Sequence, residues 1–218
     1  MSYLEGLFGL EGQKALVTGG TRGIGQTMAL ALHEQAQTSS WFKFRDTTNK
    51  ATHDQIIALG RKCTIYTADL ASQESVAGIL PKILADDHKI TILLNCAGIQ
   101  RRHPSEKFPS NDWDEVLQVN LTTVFTLCRD VGAHMLSNEP DSANRRGSII
   151  NIASLLSFQG GLTVPAYAAS KGGITQLTKA LSNEWASKGI AVNAIAPGYI
   201  ATEMNTALID DENRAARF

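Results

Sequence analysis

Lys14 to Thr18 reads KALVT and runs without a break into Gly19-Gly20-Thr21-Arg22-Gly23-Ile24-Gly25, after which Ile24, Met28, Ala31 and Leu32 recur at helical spacing. A short apolar run, a glycine-rich turn and an amphipathic helix in that order spell strand, turn, helix. Further apolar runs stand at Cys63 to Tyr66, Ile90 to Leu94, Ser148 to Ile152 and Ile190 to Ile195, with helical patterns between them. Apolar runs that do not alternate imply strands buried on both faces, and strands separated by helices imply a parallel sheet with right-handed crossovers. The expected fold is therefore α/β, a doubly wound parallel sheet forming one domain over residues 1–218. A second strand is expected near Ser39 to Phe44, although SSWFKF carries a lysine and two serines and no glycine closes the preceding helix at Ala36 or Gln37. Ser137 to Gly147 fits a surface connection, and no strand pattern follows Ile195 before Phe218.

Composition narrows the function. The chain has 218 residues with 20 Lys plus Arg against 21 Asp plus Glu, so no global field attracts nucleic acid or an anionic membrane. At 43% hydrophobic and 19% charged residues it is a globular protein, and no apolar run approaches the roughly 20 residues of a bilayer span. Met1 to Leu10 has neither a basic start nor an apolar stretch before a cleavage site, which makes the cytoplasm the expected location. Cys63, Cys96 and Cys128 are odd in number and far apart; they are expected to be buried thiols, forming neither a disulfide framework nor a metal site.

Glycines at 19, 23 and 25 permit a tight turn, close approach of backbone to a pyrophosphate and close packing of helix on strand, while the helix N-terminus offers free N–H groups and a positive dipole. Tyr167 and Lys171 lie four residues apart in a helical run from 166 to 187, hence on one face. An ammonium beside a phenol lowers its pKa, and moving it from about 10 to near 7 takes roughly 4 kcal/mol. Ser154 follows an apolar strand at its C-terminal end, where open α/β sheets place their ligands. Asn120 sits within a helical pattern of Trp113, Val116, Leu117, Leu121 and Val124, where a buried amide can hold a water or free a carbonyl for one. Asp69 and the run Asn95-Cys96-Ala97-Gly98 also follow strands. Taken singly these have plainer readings: a surface Tyr–Lys pair, a turn serine, a satisfied core asparagine and ordinary turn residues.

Together, TGGTRGIG, Asp69-Leu70, NCAG, Asn120, Ser154, the Tyr167–Lys171 pair and Pro197-Gly198 resemble the short-chain dehydrogenase/reductase family in order and spacing. The resemblance implies a Rossmann-type sheet binding NAD or NADP. It implies Tyr167 as general acid/base, Lys171 holding the nicotinamide ribose, Ser154 orienting substrate and Asn120 holding a relay water. It assigns Gly19, Thr21, Arg22, Gly23, Ile24 and Gly25 to the glycine-rich loop, Asp69 and Leu70 to the adenine, Asn95, Ala97 and Gly98 to the adenosine side, and Pro197, Gly198, Ile200 and Thr202 to the nicotinamide end. A nearer likeness, in GIQRRHP (98–104) and in residues 151–171 and 183–202, is to the branch of 2-deoxy-D-gluconate 3-dehydrogenase and 2-dehydro-3-deoxy-D-gluconate 5-dehydrogenase. That implies a sugar-acid substrate, with Arg102 first and Arg101 second for its carboxylate and Gln159 for a hydroxyl; two adjacent loop arginines are equally often solvated charge. Arg22 and Arg45 tilt the cofactor toward NADP, although Asp46 stands beside Arg45 and the branch is mostly NAD-linked.

The sequence departs from the family in having cysteine at position 96, an atypical segment from Gln35 to Phe44, and no last helix and strand, as if truncated at the C-terminus. The helices over 111–137 and 166–187 are kept, so a homodimer is expected in place of a tetramer, with the strand ending at Ile195 left as an apolar edge. The competing reading is a catalytically impaired nucleotide-binding or interaction protein derived from such an enzyme by truncation.

Overall fold

Alternation along β1 (Leu10–Thr18) divides the protein into two apolar layers, because successive side chains of a strand point to opposite faces. In the computed structural model, which describes residues 9–43, 50–86, 89–200 and 202, Leu16 belongs to one core and Ala15 and Val17 to the other. The central strands β4 (Ile92–Asn95) and β5 (Gly147–Ile152) divide in the same way: Leu93 and Ile149 join Leu16, whereas Ile92, Leu94 and Ile152 join Ala15 and Val17. Against the first face pack α3 (Gln73–Ala77), α4 (Ile79–Ala85), α6 (Thr123–Ser137) and α7 (Pro165–Trp185), through residues such as Ile83, Leu127, Met135 and Ile174. Against the second pack α1 (Gly23–Gln35) and α2 (Ala51–Ala58), through Ala29 and Ile56. The sheet is completed by β2 (Ala36–Lys43), β3 (Lys62–Thr67) and β6 (Ile190–Ile195), in the order β3-β2-β1-β4-β5-β6 with every pairing parallel. This is the expected doubly wound sheet.

The polar second strand forms. β2 follows α1 with no intervening loop, so no glycine cap is needed there, and it pairs on both sides, with Trp41 opposite Val17 and Ile65. Two flanking ladders fix its backbone where its composition does not recommend a buried strand. Arg45 and Asp46 lie outside the described residues. β6 pairs with β5 and alternates, Ile190 and Val192 buried and Ile195 exposed, so it is not the continuously buried run its sequence suggests. Among the described residues, no helix is long and apolar enough to cross a membrane.

The strand order reverses between β1 and β4, and the crevice beyond the carboxyl ends of these two strands is where such sheets bind ligands. Thr18 ends β1 and its Oγ1 accepts the N–H groups of both Cys96 and Ala97 at 3.1 Å, tying the turn after β4 to that crevice.

Two histidines, one of them buried, set an acid limit on this fold. His33 on α1 is fully buried and its pKa falls from 6.5 to about 4, through burial first and the Arg61 charge second. His134 on α6 is also lowered, by burial and Lys89, and its Nε2 accepts the Ile90 N–H at 3.2 Å. His33 stays neutral in the fold, so the unfolded chain binds more protons below its own pKa near 6.5; the stability it contributes is full above that pH and is lost as pH falls toward about 4, and the lowered pKa of His134 acts in the same direction. His33 alone contributes roughly 3 kcal/mol over this window. Urea unfolding at stepped pH is expected to show that decline, and a His33→Gln variant should flatten it. An unchanged slope in the variant would assign the decline to other groups.

Candidate active site

The glycine-rich turn builds the floor of a cavity of about 900 Å³. Gly19 has φ +70°, and a Cβ there would lie 2.7 Å from the Ala97 backbone; a Cβ on Gly25 would lie 2.2 Å from Gly19 O. Turn and helix thus close to a distance that only glycine allows, and the N-terminus of α1 opens into the cavity, whose wall includes Gly19, Thr21, Arg22, Gly23, Ile24 and Gly25. A row of unpaired N–H groups at a helix start is a fit site for a pyrophosphate.

The opposite wall carries Ser154, Tyr167 and Lys171. α5 (Ser110–Leu117) leads into a π-helical turn, Gln118–Thr122, before α6 begins. Such one-turn expansions cluster at functional sites because they break the regular ladder. Asn120, fully buried in this turn, bonds both backbone groups of Ile99: its Oδ1 accepts the N–H at 2.8 Å and its Nδ2 donates to the carbonyl at 2.9 Å. Nδ2 also donates to Ser170 Oγ, which in turn donates to Tyr167 O at 2.8 Å. Asn120 therefore sews the loop after β4 to the helix bearing the tyrosine.

Ser154 combines the plain and the chemical readings. It caps the 3₁₀ turn Leu155–Ser157, its Oγ accepting the Leu156 N–H, while Ser157 Oγ accepts the Ser154 N–H and donates to Lys171 O at 2.7 Å. Its hydroxyl also acts on the Tyr167 phenol, holding its pKa down. Lys171 is only 4% exposed, its Nζ donating to Ile152 O and standing 5.7 Å from the centroid of the Tyr167 ring. Desolvation brings the lysine down to about 8, opposed by Cys96.

The expected depression of the tyrosine by the lysine is not found. Burial pushes the phenol above its ordinary value, the Ser154 hydroxyl pulls it back, the Cys96 sulfur raises it further, and the ammonium is not among the causes. In the protein alone Tyr167 is therefore a protonated phenol at neutral pH, ready to donate. A Cβ on Gly98 would lie 3.3 Å from Asn120 Oδ1 and 3.9 Å from Lys171 Nζ, so the missing side chain leaves room beside both groups. The α1 N-terminus, that room and the Tyr–Lys pair lie along one cavity, and this fits a dinucleotide.

The other expected positions divide. Leu70, Ala97, Gly98, Arg101, Arg102, Gln159, Pro197, Gly198, Ile200 and Thr202 line the cavity. Asp69 and Asn95 are not on its wall. Asp69 accepts the Ala71 N–H in a turn, while Asn95 is buried and donates to Asn151 Oδ1 and Cys128 Sγ. Arg101 is engaged by α5, its Nη2 2.7 Å from Glu115 Oε2, whereas Arg102 donates to Gln100 Oε1 at 3.0 Å. Of the cysteines only Cys128 is buried; Cys63 and Cys96 are half-buried, and Cys96 lies on the cavity wall. Sequence reasoning missed Thr18, Ser157 and Ser170, hydroxyls whose only signal is the backbone they happen to face.

A sequence family described as short chain dehydrogenase matches residues 13–213. The chain is 45% identical over 215 residues to the 2-dehydro-3-deoxy-D-gluconate 5-dehydrogenase of Pseudoalteromonas atlantica, covering 96% of this chain and 80% of that one. It is 43% identical over 215 residues to the protein of the same name from Bacillus subtilis, covering 98% and 81%. Among solved structures it is similar to a gluconate 5-dehydrogenase from Burkholderia cenocepacia in complex with NADP and tartrate, at 35% identity and a TM-score of 0.86, covering 96% of this chain and 80% of that one.

Proposed function

The chain belongs to the short-chain dehydrogenase family, and from that premise we propose that it is a cytoplasmic, homodimeric oxidoreductase that interconverts a secondary alcohol and a ketone on a sugar acid, with NADP as the favoured dinucleotide. One observation carries the reading: Ser154, Tyr167, Lys171 and the glycine-rich helix start open on a single cavity, with Asn120 buried behind its wall. The sugar-acid class is supported by the names of the relatives and by two arginines on the cavity wall. The preference for NADP is supported by Arg22 on that wall and by the NADP held by the Burkholderia relative.

When bound, the nicotinamide gives or takes the hydride. The residues of the chain do the rest. The helix start from Gly23 would hold the pyrophosphate and Lys171 the ribose, with Pro197 to Ile200 and Thr202 at the nicotinamide end. Ser154 orients the substrate oxygen, and Tyr167 donates its phenolic proton to that oxygen in reduction or accepts one in oxidation. Lys171, charged below about pH 8, stands 5.7 Å from the centroid of the phenol ring and does not by itself lower the tyrosine pKa. Arg102, on the cavity wall, takes the carboxylate, with Arg101 second.

Steady-state turnover of 2-dehydro-3-deoxy-D-gluconate tests this. Arg102→Ala is expected to raise KM about tenfold or more, the loss of one charge-assisted bond, with NADP affinity kept. NADP should bind more tightly than NAD, and light scattering should give a dimer. An unchanged KM returns Arg102 to solvated charge; tighter NAD binding overturns the cofactor preference; a tetramer overturns the assembly.

A further inference from the structure

The loop that presents Arg102 is held from outside the cavity by a second set of charges. Arg101 Nη2 lies 2.7 Å from Glu115 Oε2, and its Nε 3.8 Å from Asp112 Oδ1. Asp112 turns its other oxygen, Oδ2, to His103 Nε2 at 2.6 Å. Asp112 and Glu115 lie three residues apart on α5 and so share one face. The His103 ring also packs edge-on against Phe108, which packs edge-on against Trp113 of α5. On its backbone side, the His103 N–H bonds Thr163 O at 3.0 Å, where Thr163 has φ +65°, a left-handed conformation unusual for a β-branched residue. That bond joins the arginine loop to the segment carrying Gln159, across the cavity mouth.

Both neighbours of Arg102 are thus fastened to α5, with Asp112 bridging them. We infer that Asp112, together with Glu115, is a positioning residue for recognition of the substrate carboxylate: it clamps Arg101 and His103 so that Arg102 between them is presented to the anionic end of the substrate. This rests on the sugar-acid reading above and adds to it the residues that set the preference for an acid over an uncharged polyol. The side chains concerned are 26 to 37% exposed, so their geometry depends on the whole set, not on any one exposed pair.

The test is a double-mutant cycle on Asp112 and Arg102, read on the sugar acid and on its uncharged methyl amide. Asp112→Ala is expected to raise KM for the acid about fivefold, leave kcat within about twofold and NADP affinity unchanged, and leave KM for the amide unchanged, as a positioning role for a charge-assisted contact requires. Asp112→Asn, which keeps one accepting oxygen, should restore part of the loss. In the double variant the effects should not add, because both act through one contact. If Arg102→Ala raises KM for the acid and Asp112→Ala does not, the clamp is overturned and the sugar-acid reading stands. If Arg102→Ala has no effect, the clamp falls with the assignment of Arg102, and the sugar-acid reading falls only if the acid itself is not turned over. Equal losses on acid and amide, or additive losses in the cycle, also overturn the clamp.

Discussion

Tyr167→Phe is expected to lower turnover by about three orders of magnitude, the usual worth of a positioned general acid, while NADP affinity changes by less than about twofold. The ring stays in place and only the hydroxyl is lost, so the cavity keeps its shape. Lys171→Ala should differ in kind. Its Nζ bonds Ile152 O from a buried position, so its removal takes away that bond together with the cation that would hold the ribose. Turnover and cofactor affinity should both fall. Paired titration and steady-state assays of the two variants make the comparison. A Phe variant with the turnover of the parent would remove Tyr167 from the chemistry.

Gly25→Ala should cost nearly as much by a different route. Its Cβ would sit 2.2 Å from Gly19 O and 3.1 Å from Cys96 Sγ, and backbone at that distance cannot step aside without opening the turn. Overpacking of this sort costs about 1–3 kcal/mol or more, which for a domain of this size lowers Tm by about 2–12 °C. NADP affinity should fall at least about tenfold, because the helix start that meets the phosphates is the part displaced. Gly78→Ala is the control: a Cβ there meets nothing closer than 3.6 Å, and its backbone has ordinary helical angles, so Tm should hold or rise slightly. Thermal melts and cofactor titration read both variants; a Gly25→Ala protein that melted and bound like its parent would contradict the close packing of turn on helix.

What the sequence revealed, and what it hid, follows from how local each feature is. The strand, turn and helix of residues 14–34 were legible because apolar spacing and glycine are local signals. β2 was nearly illegible because its partners, not its own residues, make it a strand. The candidate side chains could be named, yet the state of Tyr167 was misjudged: spacing puts an ammonium on its face, but burial, which no spacing reports, has the larger effect. Asn95 and Asp69 follow strands as expected but serve the core and a turn, since position at a strand end does not say which way a side chain points. The π-helical turn around Asn120 has no marker in its residues, QVNLT. Arg102 was ranked before Arg101 from the sequence, but the hold of Glu115 and Asp112 on Arg101 has no marker there, since it joins a loop to a helix face.

The central claim is that this cavity moves hydride between NADP and the secondary carbinol of a sugar acid, with Tyr167 handling the proton. The most direct measurement is label transfer: 2-dehydro-3-deoxy-D-gluconate carrying deuterium on its reacting secondary carbon is mixed with protein and oxidised NADP, and the nicotinamide is recovered for mass spectrometry. The reduced cofactor is expected to carry the deuterium at C4, and the Tyr167→Phe protein should bind NADP yet yield almost none. Cofactor bound by the parent protein with no label transferred, from this acid or from gluconate, would contradict the account and leave a nucleotide-binding protein without the reaction.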